Sequence, residues 1–216
     1  MSKATKPTLQ QTAYDLLKTR IVNCEFPPGM FLNTVELQAV FGFSRTPIRE
    51  ALARLEQETL VNFYPQKGYA VSEVGLGTIS SIYETRSLIE PHIVLNYGHL
   101  VPKTELERMA ALFKGALSEE SPSMAVYMGY DDEFHALCRS VCPNAYLVRV
   151  LDDIDAQAQR VRILSRYVEV KLKRLCEEHL DIIATLLVDD FPLAGKKMAN
   201  HLARARKNAF KTISGT

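Results

Sequence analysis

The stretch Ser44-Arg-Thr-Pro-Ile-Arg-Glu-Ala-Leu-Ala-Arg-Leu55 constrains this chain more than any other. Ile48, Ala51, Leu52 and Leu55 fall at i, i+3, i+4 and i+7, the apolar stripe of a packed helix. Arg45 and Arg49 stand one turn apart at its leading end. Ser44 or Thr46 can cap it, and Pro47 is tolerated in a first turn whose amide hydrogens lack helical partners. A short helix with a clean inner stripe and arginines at its leading end has the shape to enter a groove and touch nucleic acid.

The flanks give that helix a context. Over residues 8–24, Ala13, Leu16, Leu17 and Ile21 keep helical spacing, and Phe26-Pro-Pro-Gly29 ends the segment in a turn. Val35, Leu37, Val40 and Phe41 predict a second short helix, and Gly42-Phe43-Ser44 is a tight turn into the third. Two short helices joined by a Gly-containing turn form a helix-turn-helix pattern. After Leu60 the period drops to two: Val61, Phe63, Tyr69 and Val71 alternate with polar residues around Pro65-Gln-Lys-Gly68. This predicts a hairpin, a wing, with Gly68 free to take positive φ and Lys67 at a tip able to reach phosphate or the minor groove.

From residue 73 onward the patterning is helical throughout, with candidates over 76–99, 103–118, 122–141, 144–166, 168–189 and 192–212. Pro102, Pro122, Pro143 and Pro192 lie near the starts, where proline belongs, whereas Pro91 falls inside its helix and is expected to kink or split it. The fold class that follows is mainly α. An N-terminal winged helix-turn-helix (residues 1–72, with 1–9 a loose arm) precedes an antiparallel helical bundle (73–216). Hydrophobic residues at 47% and charged residues at 24% fit a soluble globular protein. The apolar runs are too short and too interrupted by charge for a transmembrane helix, and the N-terminus lacks the apolar core of a signal peptide. Cys24, Cys138, Cys142 and Cys176 form no secreted spacing pattern, so free thiols in the cytoplasm are expected. Cys138 and Cys142, one turn apart, read as small buried residues rather than a metal pair. Net charge is +1 overall, +2 over residues 1–72 (eight Lys/Arg against six Asp/Glu) and −1 over the rest (eighteen against nineteen). Any nucleic-acid contact therefore depends on where charge is placed rather than on its total.

These residues resemble a known family. The Ser44–Leu55 stretch, with Phe26-Pro-Pro-Gly29 upstream and Gln66-Lys-Gly-Tyr-Ala-Val71 downstream, resembles the winged-helix domain of GntR-family transcription regulators over most of 10–72. Two departures are visible. Thr59 stands where the family usually has glycine, which suggests a different helix end, and Asn33-Thr-Val-Glu36 matches the start of the second helix only loosely. The second part resembles the all-helical FCD domain of the FadR-type subfamily over 78–212. That likeness is carried by Tyr83-Glu-Thr-Arg-Ser-Leu-Ile-Glu90, Asp131-Asp-Glu-Phe-His135, Glu177-Glu-His179 and Met198-Ala-Asn-His-Leu202, with Pro143-Asn144 in place of the usual Gly-Asn.

Asp131 and His135 are i and i+4 on one helix and share a face, while His179 and His201 lie on two later helices that a bundle can bring to the same point. One carboxylate and three imidazoles suit Zn, Ni, Mn or Fe with positions left for water or ligand. On spacing alone, histidines in helices are more often satisfied core or surface residues; the resemblance implies a metal site, since all four family positions are filled. Asp132 is a rival to Asp131, directed about 100° away. The resemblance also places Arg86 at a ligand cavity, where it can hold a carboxylate bidentately; the alternative is an i,i+4 pair with Glu90. Arg160, Arg162 and Arg166 can also face that cavity, though one helix cannot point all three inward. His92 and His99 match no motif.

Together these readings imply a metabolite-responsive transcription regulator, a repressor working as a homodimer on a palindromic operator. Arg45, Thr46, Arg49, Lys67 and Gly68 are the expected DNA contacts, with Arg54, further along the helix, meeting protein or phosphate. A divalent transition metal and a small carboxylate metabolite are the expected ligands, zinc being the leading ion. A metal-dependent enzyme and a pure metal sensor are the alternatives. The enzyme lacks a general base beside the site, because Asp132 and Glu133 face away from it.

Overall fold

The structure, a computed structural model, describes residues 8–118, 123–165 and 172–214. The chain divides into two compact units, Met1–Gly75 with Ala156–Ile163, and Leu76–Asp155 with Leu164–Thr216.

The first unit opens with α1 (Leu9–Val22), capped by Thr8, whose hydroxyl accepts from the Gln11 amide. Helix thus begins inside the expected 1–9 arm, and residues 1–7 of that arm lie outside the described residues. A two-residue strand β1 (Phe31–Leu32) precedes α2 (Thr34–Phe41). Asn33 caps α2 through its Oδ1, which accepts from the Val35 amide at 2.9 Å, while its Nδ2 donates to the Glu36 carboxylate at 3.0 Å. The loosely matching Asn33–Glu36 segment therefore supplies an ordinary side-chain N-cap, with Glu36 holding the capping side chain. Gly42, at φ 70°, turns the chain into α3 (Arg45–Gln57). Ser44 occupies the N-cap position of α3 in extended conformation, but its hydroxyl makes no capping hydrogen bond.

The end of α3 corrects one expectation. The Leu60 amide donates to the Leu55 carbonyl and the Thr59 amide to the Glu56 carbonyl, both at 2.9 Å. That pair is the Schellman ending that glycine usually completes. Thr59 takes the left-handed conformation itself, at φ 58°. The helix end is the ordinary one, and a β-branched residue carries its strain.

The wing is β2 (Val61–Tyr64) and β3 (Gly68–Val71), antiparallel with Val61 opposite Val71 and Tyr64 opposite Gly68. Gly68 has φ 88°. β1 joins the other edge of β3, giving the order β1-β3-β2. The inner faces close a core of Ala13, Leu17, Ile21, Leu37, Ile48, Leu52, Leu55 and Val61. Leu16, Val35 and Val40, expected on apolar stripes, are exposed, and Tyr14 is buried instead.

This unit also holds a buried polar network from α7 (Ala145–Ser165). Arg160 is fully buried and donates to the Ser72 hydroxyl and to Gln157 Oε1, each at 2.8 Å, and to the Ser72 carbonyl. Gln157 donates to the Thr59 carbonyl at 2.8 Å. Arg160 is thus committed to the first unit, and Arg166 lies outside the described residues.

The second unit is helical: α4 (Leu76–Tyr97), α5 (Lys103–Ser118), α6 (Met124–Ser140), the remainder of α7, α8 (Leu172–Leu187) and α9 (Phe191–Ser214). Helix α4 runs unbroken through Pro91, so the proline does not split it. It packs along α9, and α8 packs on α5 and α9. A Cβ on Gly195 would stand 3.1 Å from the Pro91 carbonyl oxygen, so glycine lets α9 approach α4 closely there. Val94, Leu106, Met109, Phe113, Phe134, Ile182, Met198 and Leu202 share the principal core. Cys138 and Cys176 lie in it, while Cys142 joins a second cluster with Ile93 and Leu151; all are free thiols.

Candidate metal centre and nucleic-acid interface

Three helices deliver the four expected ligands. Asp131 and His135 project from one face of α6, His179 from α8 and His201 from α9. One donor atom from each lies within 4.8 Å of every other. Asp131, His179 and His201 are buried and His135 nearly so; the carboxylate of this group comes from Asp131 rather than Asp132.

The second ring nitrogen of each histidine fixes what the first can do. His179 Nδ1 lies 2.9 Å from the Leu175 carbonyl, which only accepts, so Nδ1 carries the proton. His201 Nδ1 lies 3.1 Å from Glu178 Oε2. His135 Nδ1 lies 2.6 Å from Glu90 Oε2, a close contact without the alignment of a hydrogen bond. A bare lone pair facing a carboxylate would be repelled, so His201 Nδ1 carries its proton, and Glu90 favours the same tautomer of His135. In its neutral form each ring then keeps an Nε2 lone pair. His179 Nε2 stands 3.2 Å and His135 Nε2 3.9 Å from Asp131 Oδ1, and both are buried with no hydrogen-bond partner.

With neutral rings, two imidazole lone pairs converge on a carboxylate in a buried site, an arrangement that suits a cation. The donor set fits a divalent transition ion bound through imidazole nitrogen and carboxylate oxygen. Burial, with His179 adding to it, pushes His201 down to about 4, which keeps its ring neutral and its lone pair available near pH 7.

The surroundings are built to hold these groups. Phe113 stacks on His179 with centroids 4.7 Å apart and planes 12° apart, and Phe134 meets the same ring edge-on. Tyr127 donates to Asp131 Oδ1 at 3.2 Å. Arg86 is buried and pairs with Glu90, Nε to Oε1 at 2.5 Å and Nη2 to Oε2 at 3.4 Å. Burial works against the charge of Glu90, but Arg86 and His135 outweigh it and hold the carboxyl below its usual range. Glu178 is held low likewise, burial being outweighed by His201, Arg204 and Arg174.

Sequence patterning missed Tyr127, Phe113 and the contacts of Glu90 and Glu178 with the histidines. Glu90 and Glu178 stand inside motifs already singled out, so a signal existed for those two. Tyr127 lies one turn before Asp131, a spacing that could have drawn attention to it. His92 and His99 are exposed; His92 contacts Asn96 on its own helix.

In the first unit, Arg45, Thr46 and Arg49 are exposed along the leading half of α3, and Lys67 is exposed at the hairpin tip. None of these three basic residues enters a salt bridge among the described residues. Arg54 is different: it lies 3.6 Å over the Tyr14 ring, donates to Gln11 at 3.0 Å and pairs with Glu58. It braces α3 against α1.

Residues 9–71 match the bacterial regulatory proteins of the gntR family, and residues 81–204 match the FCD domain. The chain belongs to the GntR family, in its FadR-type, FCD-bearing branch. It is similar to the Nta operon transcriptional regulator of Aminobacter aminovorans, 30% identical over 172 residues, 78% of each chain. It is similar to the HTH-type transcriptional repressor RspR of Escherichia coli K12, 26% identical over 199 residues, 92% of this chain and 87% of that one. Among solved structures, E. coli McbR/YncC superposes with a TM-score of 0.75 at 20% identity, covering 97% and 99% of the two chains. The chain is a DNA-binding transcription regulator of GntR/FCD type, and its relatives are regulators rather than enzymes. Among the described residues no helix is long and apolar enough to cross a membrane.

Proposed function

We propose that this regulator is a metabolite-responsive repressor whose helical unit holds a divalent transition metal through Asp131, His135, His179 and His201. The observation that carries this reading is the convergence of one atom from each of the four residues, with His135 Nε2 and His179 Nε2 buried and without a hydrogen-bond partner. Zinc is the leading ion for three imidazoles and a carboxylate; nickel, manganese and iron suit the same donors.

A bound ion keeps coordination positions for a small carboxylate metabolite. Arg86, held through Nε and Nη2 by Glu90 beside this cluster, is the cation that supports such an effector. The effector alters operator affinity only through its differential binding to two arrangements of the protein. Arg45, Thr46, Arg49, Lys67 and Gly68 form the DNA surface in this reading. A cytoplasmic homodimer presents it twice to a palindromic operator, since one short helix offers few base contacts.

Elemental analysis of the purified protein, followed by operator binding with and without candidate carboxylic acids, tests the proposal. One equivalent of transition metal per chain is expected, falling strongly in His179→Ala. Full occupancy in that variant removes His179 from the site. A change in operator affinity on metal removal alone, with no acid having any effect, favours a pure metal sensor.

A further inference from the structure

Each of two metal-facing histidines rests on a carboxylate, and each carboxylate is held by arginine. On His135 the carboxylate is Glu90, gripped by Arg86 one turn earlier on α4. On His201 it is Glu178, held by Arg204 at 2.7 Å and Arg174 at 3.2 Å. The Glu90 arrangement is the more enclosed: Arg86, Glu90 and His135 are all nearly buried, whereas Arg174 and Arg204 are exposed or half-exposed. Glu90 uses both oxygens, with Oε1 on Arg86 and Oε2 on His135.

We infer that Glu90 is a positioning residue of the metal centre and that Arg86 acts on His135 through it. This rests on the metal reading. A carboxylate accepts only, so Glu90 Oε2 at 2.6 Å, though not aligned as a hydrogen bond, favours the proton on Nδ1, leaves Nε2 to the ligand cluster and makes the ring a stronger donor to a cation. Without Arg86, Glu90 would be a buried charge balanced only by the histidine it orients. Arg86 therefore does more than stand ready for an anion. An effector carboxylate drawn to Arg86 competes for the charge that holds Glu90, so anion binding and metal binding share one carboxylate. Any coupling between them is reciprocal.

The test uses the full-length protein and Zn2+ as the probe. Affinity is measured by competition with a chromophoric chelator for wild type, Glu90→Gln, Arg86→Met and Arg86→Met/Glu90→Gln. Glu90→Gln should bind Zn2+ roughly 10- to 100-fold more weakly. Arg86→Met should also lose affinity, and the double variant should be no weaker than Glu90→Gln alone, because one residue acts through the other. Long-range 1H–15N spectra of the metal-free proteins supply a readout that a merely structural role leaves unmoved. His135 should be protonated on Nδ1 in wild type and lose that bias in Glu90→Gln, since an amide can donate as well as accept. Should Glu90→Gln fail to fold, the double variant, which strands no charge, carries the same two measurements. Wild-type Zn2+ affinity and an unchanged His135 tautomer in the Gln variants overturn the positioning role. Additive losses in the double variant overturn the part given to Arg86. A wild type that takes up no Zn2+ overturns the metal reading instead, and the metal-free spectra then decide the role of Glu90 alone.

Discussion

His179 has the least freedom of the three imidazoles. Phe113 covers one face, Phe134 meets it edge-on, and the Leu175 carbonyl takes its Nδ1 proton. The i,i+4 spacing of Asp131 and His135 was legible in the sequence because both lie on one helix. The convergence of His179 and His201 on that face was legible only through family likeness, since no local period links helices so far apart. Glu90 stayed hidden for the same reason: its tie to Arg86 is a one-turn pattern, but its tie to His135 joins two helices. At the other end of the chain, Arg45 and Arg49 are exposed and outside any salt bridge among the described residues, whereas Arg54 is engaged with Tyr14, Gln11 and Glu58. Replacing Arg49 by Ala should cost about 1–3 kcal/mol of operator binding if it pairs with a guanine edge, with the fold intact. Fluorescence anisotropy on the operator recovered from genomic fragments checks this. Unchanged affinity would take Arg49 off the DNA surface.

Among the elements, the helices whose apolar stripes face one core are those the patterning finds best. Helix α3 buries Ile48, Ala51, Leu52 and Leu55 as its spacing requires. Helix α2 buries only Leu37 within its eight residues, so a stripe drawn through Val35 and Val40 points at solvent. β1 escapes notice because two residues cannot display a period, and its place is set by pairing Phe31 with Ala70 and Leu32 with Tyr69. Pro91 misleads in the other direction: a helix supported along its length by a neighbour tolerates the missing amide that would break an isolated one. Thr59 offers the sharpest check at this scale. Its αL conformation closes α3 as glycine would, so Thr59→Gly should stabilise the first unit by about 1 kcal/mol. Chemical denaturation reads this directly, and a destabilised variant would mean that the contacts of Thr59 with Gln157 outweigh its backbone strain. Asn33→Ala should move stability the opposite way by about 1 kcal/mol through loss of the α2 cap.

At the scale of the whole molecule, the boundary expected near residue 72 is not a single cut. The first unit takes Ala156–Ile163 from far along the chain, and with it Arg160 and Gln157. Nothing in the local pattern of α7 announces this, because an arginine on a helix face reads alike whether it meets water or a buried serine. Arg160→Ala would leave the Ser72 carbonyl and Gln157 Oε1 short of a buried donor, at a cost of about 2–3 kcal/mol. Urea unfolding followed by a probe in the first unit tests this; an unchanged midpoint would make the network incidental. A fragment ending at residue 75 should likewise unfold at lower urea than the same residues in the full chain.

The carboxylate shared between Arg86 and His135 has a bearing on how such regulators diverge. His135 exchanged for another residue strands Glu90, and a changed Glu90 strands a buried arginine, so no single step among the three is neutral. In relatives that have drifted to 26–30% identity, positions 86, 90 and 135 should therefore change as a block or stay as a block, while the exposed turns around them vary freely.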